Sequence, residues 1–265
     1  MRSERMAPER RHTLYFLREI RAITPVFLDT DVDMSAVLRH RSAGPKYSLV
    51  TYVLYAAARV LAAHPQANAA ISRRGRPRVA HYTSVNGKFT LDKTLNGERI
   101  VLSAVLPDLH ESTLEEIQRQ VAHYRDGDPA TMPEFRAARL LHRLPWPIGG
   151  VLFRLGVRPL HRRATTLGTF AVTSLGHRPV DGFYSVGGTT LTLGLGRIAD
   201  RPVVRDQQVT IAPLMRVTLA FDHRVIDGAE AADVLTDLKD ALEGWHDLDW
   251  AQAATVAGGD RIGAP

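Results

Sequence analysis

The sequence of 265 residues contains no cysteine. Disulfide bonds, a cysteine nucleophile and cysteine-based zinc sites are therefore excluded. Long apolar runs are also missing, since the uncharged stretch LPWPIGGVLF has only ten residues between Arg143 and Arg154, too few to cross a bilayer. The first residues, MRSERMAPERRH, carry charges but no apolar h-region, so they do not form a secretory signal. Together these absences fit a reducing compartment, and we expect the cytoplasm.

Acidic residues are absent from one strongly basic segment. The net charge of the chain is +6, and residues 136–163 contain seven arginines and no Asp or Glu. Such a segment suits a phosphate-bearing ligand, an acidic protein or a membrane surface, and it is equally typical of a solvated surface. No nucleic-acid-binding module surrounds it, so we expect no nucleic-acid partner. The 11 histidines have no metal-ligand spacing, and the sequence predicts no metal site.

Hydrophobic periodicity predicts alternating helices and strands within one α/β domain. Ser48 is expected to cap a helix over 48–64, and Ser112 with Glu115 to form the capping box of a second helix over 112–125. An Asn-Gly pair separates KFTLDKT from ERIVLSAVL, which predicts a hairpin. The other predicted elements are strands over 26–34, 168–175, 189–196, 208–214 and 216–222, and a final helix over 228–243.

The domain is expected to cover residues 10–245. It follows a flexible N-terminus at 1–9 and precedes a disordered tail at 246–265, because that tail is rich in Ala and Gly. Neither a repeat nor a linker divides residues 12–245.

The stretch VTLAFDHRVIDGAEAADVL, residues 217–235, places a histidine and an aspartate where a strand becomes a helix. His223 follows the predicted strand, and an imidazole held there could act as a general base near neutral pH. Asp227 offers a carboxylate. The plain structural alternative is that Asp227 is a helix N-cap with Glu230 as its capping-box partner.

FDHRVIDGAEAADVLTDLKDAL closely resembles the signature at the end of the catalytic domain of dihydrolipoyl acyltransferases, the core subunits of 2-oxoacid dehydrogenase complexes and relatives of chloramphenicol acetyltransferase. Further similarities follow in the family's order: the segment RRHTLYFLREIRAITPVFLDTDVDMSAVLRHR, then PQANAAI (65–71), then GTFAVTSLG (168–176). The resemblance covers about residues 10–243. It implies a two-layer α/β sandwich of the chloramphenicol acetyltransferase type, with a mixed sheet and helices on one face.

The resemblance also implies an acyltransferase. The histidine, here His223, would take a proton from the thiol of coenzyme A or dihydrolipoamide, and the thiolate would attack a thioester carbonyl directly. A hydroxyl would donate to the oxyanion. Alignment of FAVTSLG with the family's FTISNLG gives Thr173 that position, with Ser174 as the substitute. Coenzyme A would be a substrate and no metal would be needed.

The family's remaining site features concern the turn and the assembly. The aspartate at position 227 pairs with an arginine in these relatives, and Arg11 best matches that arginine, with Arg18 as a rival. Either arginine could equally be a surface residue. The resemblance further implies a homotrimer or larger assembly with the active site between subunits. The similar segment HRPVDG at 177–182 lacks a following helix, so we expect His177 to lie in a loop.

Two departures from the family leave alternatives open. No lipoyl-bearing lysine context or linker is present, so no lipoyl group is expected on this chain, and the acceptor would be a small molecule or a lipoyl group on a partner protein. Residues 140–167 resemble an insertion that could be a lid, a clamp for coenzyme A phosphates, a surface for a membrane or partner, or a packed pair of helices. The alternative function is an oligomeric core or scaffold subunit that uses lipoyl groups supplied in trans or is catalytically silent.

Overall fold

A computed structural model describes residues 5–72 and 76–245. The expected disordered tail at 246–265 and residues 1–4 of the expected flexible N-terminus lie outside these ranges. Residues 8–10 form a single 3-10 turn that leads into the first helix.

Eight strands and eight α-helices alternate along the described chain. The helices are α1 (Arg11–Ile20), α2 (Ser35–Ala43), α3 (Leu49–Ala63), α4 (Leu114–Asp126), α5 (Arg136–Arg143), α6 (Trp146–Val157), α7 (Leu160–Thr166) and α8 (Gly228–Glu243). The strands are β1 (Pro25–Asp33), β2 (Ala69–Ile71), β3 (Val79–His81), β4 (Gly87–Leu95), β5 (Glu98–Leu106), β6 (Phe170–Ser174), β7 (Leu191–Arg205) and β8 (Gln208–Asp222).

Six of the strands form a mixed sheet in the order β1-β8-β7-β6-β4-β5, and β2 and β3 form a separate antiparallel pair. Strand β6 runs parallel to both of its neighbours, β4 and β7, while the other pairs in the large sheet are antiparallel. The predicted α/β class with a mixed sheet is confirmed.

One face of the sheet carries the hydrophobic core. Side chains of α3 and α8 meet strand residues there, including Phe170, Leu191 and Leu219, which are at most 2% exposed. Alternation along each strand places one residue of every pair on this face and the next on the other. Helices α3 and α8 therefore cover a continuous apolar layer on this face. The alternate residues of the same strands point to the opposite face of the sheet.

The opposite face is polar and is covered by the loop between β6 and β7. The hydroxyl of Thr192 accepts a hydrogen bond from the Gly187 amide (2.8 Å), and the Thr218 hydroxyl donates to the Phe183 carbonyl (2.6 Å). Helix α1 closes this side: Gly188 has a φ of 82°, and a Cβ there would lie 2.8 Å from the Phe16 ring. Side chains on the sheet thus hold the loop in place.

Local sequence signals account for most element ends. The Ser48 hydroxyl accepts from the Thr51 amide (3.2 Å) and begins α3, as predicted. Asn96 and Gly97 adopt φ values of 52° and 82° between β4 and β5, which confirms the predicted hairpin. The capping box of α4 is formed by Thr113 and Glu116 rather than by Ser112 and Glu115, so the predicted box was wrong by one residue.

Two predicted strands, 208–214 and 216–222, form a single long strand, β8, that pairs with an equally long β7. A register shift between Leu195 and Ile198 lets the pair bend and continue. The outer part of this hairpin exposes one apolar face with Val204, Val209 and Ile211, each about three quarters exposed. These are the most exposed large apolar side chains in the described chain.

The basic insertion folds as helices. Residues 140–167 contribute to α5, α6 and α7, and α6 packs on α1 through Tyr15, whose ring lies 4.7 Å from Trp146. Gly149 permits this contact, since a Cβ would lie 2.5 Å from the Tyr15 hydroxyl. The structure therefore shows residues 140–167 as helices packed on α1, which is one of the alternatives expected for this segment.

Lys88 lies on the loop-covered face and is only 3% exposed. Its ammonium group donates to the Gly187 carbonyl and lies 5.0 Å from the centre of the Phe16 ring. Burial lowers the pKa of Lys88 to about 7, with a smaller contribution from the Arg163 guanidinium. No carboxylate hydrogen bond offsets this burial among the described residues.

Replacement of Lys88 by methionine is predicted to change how stability depends on pH. An unfolded lysine titrates near pH 10.4, so between about pH 7 and pH 10 the unfolded state binds more protons and the folded protein gains stability as pH rises. This rise in the free energy of unfolding is of the order of a few kcal/mol. We expect it to be absent from Lys88→Met when urea unfolding is measured between about pH 7 and pH 10. Exposed Lys46→Met is the matched control, and parallel profiles for Lys88→Met and the wild type would refute the prediction.

Candidate active site

A five-residue turn, residues 223–227, connects the end of β8 to the start of α8. Asp222, the last residue of β8, holds it: the Asp222 carbonyl accepts from the amides of Val225 (2.9 Å) and Ile226 (3.4 Å). The Asp222 amide donates to the Thr190 carbonyl (2.9 Å), which ties the turn to the segment before β7. The turn thus starts from a fixed point in the sheet.

His223 is positioned by three contacts, one of them within this turn. Its backbone amide donates to the Thr24 carbonyl (3.0 Å), and its ring lies beside Phe221 with 5.6 Å between ring centres. Nδ1 lies 3.2 Å from the Ile226 carbonyl oxygen. Because a carbonyl only accepts, Nδ1 must carry the proton in this bond, which leaves the lone pair on Nε2. The side chain is 46% exposed, so a substrate can reach the ring.

Asp227 lies next to His223 and at the N-cap position of α8. A carboxylate oxygen is 3.5 Å from Nδ1 of His223, but the side chain is 89% exposed and makes no capping hydrogen bond. Glu230, the expected box partner, instead binds the His64 ring (3.0 Å). The capping-box alternative is therefore not formed, and Asp227 faces solvent beside the imidazole.

Arg11 is not the counter-ion of Asp227 in this structure. Its guanidinium donates to the carbonyls of His142 and Leu144, both at 2.8 Å. The rival, Arg18, stacks on the Trp146 ring at 4.6 Å. The physical reason is the insertion, which packs on α1 and offers carbonyl and aromatic partners that the spacing from Pro25 does not reveal.

The ion pair that braces the turn is Asp222 with Arg224. The Arg224 Nε–H donates to the Asp222 carboxylate (2.8 Å), and the Arg224 amide donates to the same oxygen (3.2 Å). Asp222 is 4% exposed. Both residues lie in the quoted DHR motif, yet sequence reasoning missed them. The available signal was an acid at the end of a strand two residues before an arginine.

The two candidate hydroxyls lie at the end of β6. Thr173 pairs with Gly194 of β7, and Ser174 with Leu195. Consecutive strand residues project to opposite faces, so Thr173 shares the loop-covered face with Lys88, while Ser174 does not. Ser174 accepts a long hydrogen bond from the Gly176 amide (3.4 Å). His177 follows in an exposed turn, as predicted.

The sheet register separates Thr173 from His223 within one chain. Phe170, Leu191 and Phe221 are aligned across β6, β7 and β8, so His223 lies five positions from Thr173 along the strand direction and two strands away. At 3.3 Å per residue and 4.8 Å per strand, the distance is about 19 Å. One carbonyl cannot contact both side chains of the same chain.

His64 is a further residue that sequence reasoning missed, since it was read only as a helix end. Its ring bridges Glu230 (3.0 Å) and Asp237 (2.8 Å), and so joins the end of α3 to two positions of α8. Burial opposes its charge, but the hydrogen bonds to Asp237 and Glu230 outweigh burial and raise the pKa of His64. The helix that follows the turn is thereby anchored to the core helices.

The ionisable groups of the site do not form a metal centre. Within residues 5–72 and 76–245, no group of three or more His, Asp or Glu side chains is arranged to hold a metal ion.

Arg224→Gln is predicted to destabilise the folded chain. It leaves the Asp222 carboxylate buried without its cation, which costs about 3 kcal/mol of unfolding free energy. Urea unfolding measures the loss, and Arg178→Gln at an exposed position serves as the control. Asp222→Asn combined with Arg224→Gln should recover part of the stability, because the unpaired charge is gone. A cost for Arg224→Gln equal to that of the control would show that the pair does not brace the turn.

Comparison with known proteins identifies the same segment. Residues 158–249 match the family model described as 2-oxoacid dehydrogenases acyltransferase (catalytic domain). The dihydrolipoyllysine-residue acetyltransferase component of the pyruvate dehydrogenase complex from Bacillus subtilis is 48% identical over 50 residues, 19% of this chain and 11% of that protein. The succinyltransferase component of the 2-oxoglutarate dehydrogenase complex from Cupriavidus necator is 28% identical over 207 residues, 76% of this chain. That match spans 40% of the relative's length.

The fold is shared over nearly the whole chain. The solved structure of the Azotobacter vinelandii dihydrolipoamide acetyltransferase has a TM-score of 0.69 and 19% identity, and the match covers 96% of this chain and 94% of that one. The family match contains the turn with His223 and Asp227 and the helix that follows it. Residues 158–249 of the chain are thus similar to the catalytic domain of 2-oxoacid dehydrogenase acyltransferases, and the fold resembles that of the dihydrolipoamide acetyltransferase.

Proposed function

We propose that this chain is an acyltransferase that moves an acyl group between a coenzyme A thioester and a thiol, amine or alcohol acceptor. The observation that carries the proposal is the hydrogen bond from Nδ1–H of His223 to the Ile226 carbonyl. It leaves Nε2 as a proton acceptor on a ring that is 46% exposed. An imidazole held in one tautomer and open to solvent is suited to general base catalysis.

The proposed reaction is a direct transfer. Nε2 of His223 removes the proton from the acceptor, and the acceptor's sulfur, nitrogen or oxygen attacks the thioester carbonyl. The C=O electron pair moves onto oxygen, to which the Thr173 hydroxyl donates a hydrogen bond. When the oxyanion collapses, the C–S bond breaks, and the coenzyme A thiolate takes the proton back from the imidazolium. The Asp227 carboxylate lies 3.5 Å from Nδ1, on the side of the ring away from the substrate.

The site requires a second copy of the chain. The distance of about 19 Å between Thr173 and His223 excludes their joint action within one chain, and the family resemblance suggests a homotrimer or larger assembly. We therefore propose that His223 of one subunit works with Thr173 of the next. The exposed apolar face of the β7–β8 hairpin, with Val204, Val209 and Ile211, is suited to contact between subunits.

The acceptor could instead be a lipoyl group on another protein. This second function, a core subunit that uses lipoyl groups in trans or is catalytically silent, is favoured by the relatives that are named as components of pyruvate and 2-oxoglutarate dehydrogenase complexes. An assay that offers acetyl-CoA with a separate lipoylated domain, and with free dihydrolipoamide, distinguishes the acceptors. We place the activity in the cytoplasm, because a chain without cysteine suits a reducing compartment.

Removal of the proposed base should abolish transfer without unfolding the protein. We expect His223→Ala to lower kcat by about a hundred- to ten-thousand-fold, the usual contribution of a general base. Release of free coenzyme A thiol from a panel of acyl-CoAs measures the rate, and circular dichroism checks the fold. Undiminished activity in folded His223→Ala would exclude the mechanism.

Removal of the proposed oxyanion donor should also slow transfer. Thr173→Val should lower kcat about a hundred- to a thousand-fold, while Thr173→Ser retains activity. Loss of activity in Ser174→Ala instead would assign the donor to Ser174.

Mixed assemblies test whether the site is shared between subunits. Co-expressed His223→Ala and Thr173→Val chains should regain activity, because some interfaces combine an intact histidine with an intact threonine. With equal amounts and random assembly, about a quarter of the sites are intact. Each variant alone is the control. If the mixture is no more active than the separate variants, while size-exclusion chromatography shows mixed oligomers, the shared site is excluded.

A further inference from the structure

Helix α6 presents an apolar stripe to solvent. Ile148, Val151, Leu152 and Leu155 are between 44% and 60% exposed. Their spacing of three and four residues places them on one face of the helix, and Gly149, Phe153 and Val157 lie on the other face toward α1. Both faces of α6 are therefore apolar, whereas a surface helix ordinarily turns polar residues toward water.

The surroundings of this stripe are cationic. Arg143, Arg154 and Arg162 are exposed and have no carboxylate partner within the described residues. Three other arginines of residues 136–163 are engaged elsewhere: Arg139 donates to the Met132 carbonyl (2.7 Å), Arg158 pairs with Glu19 (3.0 Å) and Arg163 donates to the Gly188 carbonyl (2.9 Å). No acidic residue occurs in 136–163 to balance them.

The apolar stripe together with the exposed arginines indicates which kind of partner would bind this surface of α6. A second copy docked on the same surface would bring these arginines together across the symmetry axis, with no acid in the segment to compensate. An anionic bilayer matches both features, since its headgroups attract the arginines and its acyl region accepts the exposed leucine, isoleucine and valine side chains. No helix of the described chain is long and apolar enough to cross a membrane, so the contact would be peripheral.

We propose that α6 (Trp146–Val157), with Arg143, Arg154 and Arg162, is a docking surface for an anionic phospholipid membrane. The helix lies in the plane of the headgroups with its stripe inserted. The inner face remains on α1, where Tyr15 donates to the Trp146 carbonyl (3.1 Å). The docked protein therefore keeps its fold, and α1 connects the docking helix to the loop-covered face of the sheet.

Vesicle co-sedimentation of the full chain tests the proposal. We expect binding to vesicles of mixed phosphatidylglycerol and phosphatidylcholine at low salt, and little binding to phosphatidylcholine alone or at about 0.5 M salt. Neutralisation of Arg143, Arg154 and Arg162 to glutamine should weaken partitioning about fivefold per arginine. The combined change of Val151→Ser and Leu155→Ser should weaken it at least about tenfold.

Matched control variants test whether vesicle binding depends on the α6 surface or on any exposed apolar or arginine side chain. Val101 is 54% exposed, as Val151 is 52% exposed, but it lies on β5, so Val101→Ser should bind like the wild type. Arg99→Gln removes an exposed arginine that pairs with Asp92 and should also have little effect.

Several outcomes would overturn the proposal. They are no sedimentation with anionic vesicles, binding that survives high salt, or equal binding by the stripe variant and the wild type. Without vesicle binding, oligomers dissociated by the stripe variant would assign α6 to a protein interface. In the same case, a raised KM for acyl-CoA in the arginine variant would assign the arginines to coenzyme A phosphates.

Discussion

The position of the candidate base depends on one buried carboxylate. Asp222 makes hydrogen bonds through three of its groups: its amide donates to Thr190 before β7, its carbonyl closes the turn, and its carboxylate accepts from the Arg224 backbone and side chain. A turn of this length has many alternative conformations in an unconstrained chain. Because Asp222 fixes its start and Ile226 orients the ring, His223 is held in one tautomer before any substrate arrives.

The end of the turn is fixed by a different set of contacts. Asp227 begins α8 but makes no cap hydrogen bond, so the helix start is not stabilised in the usual way. His64 compensates through its bonds to Glu230 and Asp237, which tie the first turn and the middle of α8 to the end of α3. The carboxylate of Asp227 thus remains available to the imidazole instead of being used by the helix.

The sequence predicted those parts of the fold that depend on local signals. Helix α3 with its Ser48 cap, the Asn-Gly hairpin and helix α8 are set by nearby residues, and these predictions are confirmed. The capping box of α4 was ambiguous because Ser112-Glu115 and Thr113-Glu116 have the same spacing. The length of β7 and β8 was missed because pairing between the two strands, not a local signal, carries β7 on to Arg205 and β8 through Met215. For Arg11, its spacing from Pro25 correctly placed it in the first helix, but could not show that its side chain binds the insertion and not Asp227.

The packing of the insertion, residues 140–167, also could not be predicted from the sequence. Apart from its exposed surface, the insertion contacts the segment that supports the turn with His223. Arg163 of α7 donates to the Gly188 carbonyl, and the chain continues two residues later to Thr190, whose carbonyl binds the Asp222 amide. Beside it, Lys88 donates to the Gly187 carbonyl. Two buried basic side chains, Arg163 and Lys88, thus hold the short segment on which the start of the turn rests. Displacement of α7 would move Gly188, and through Thr190 it would act on Asp222. The insertion is therefore connected to the residue that positions His223 by two hydrogen bonds and the backbone between Gly188 and Thr190.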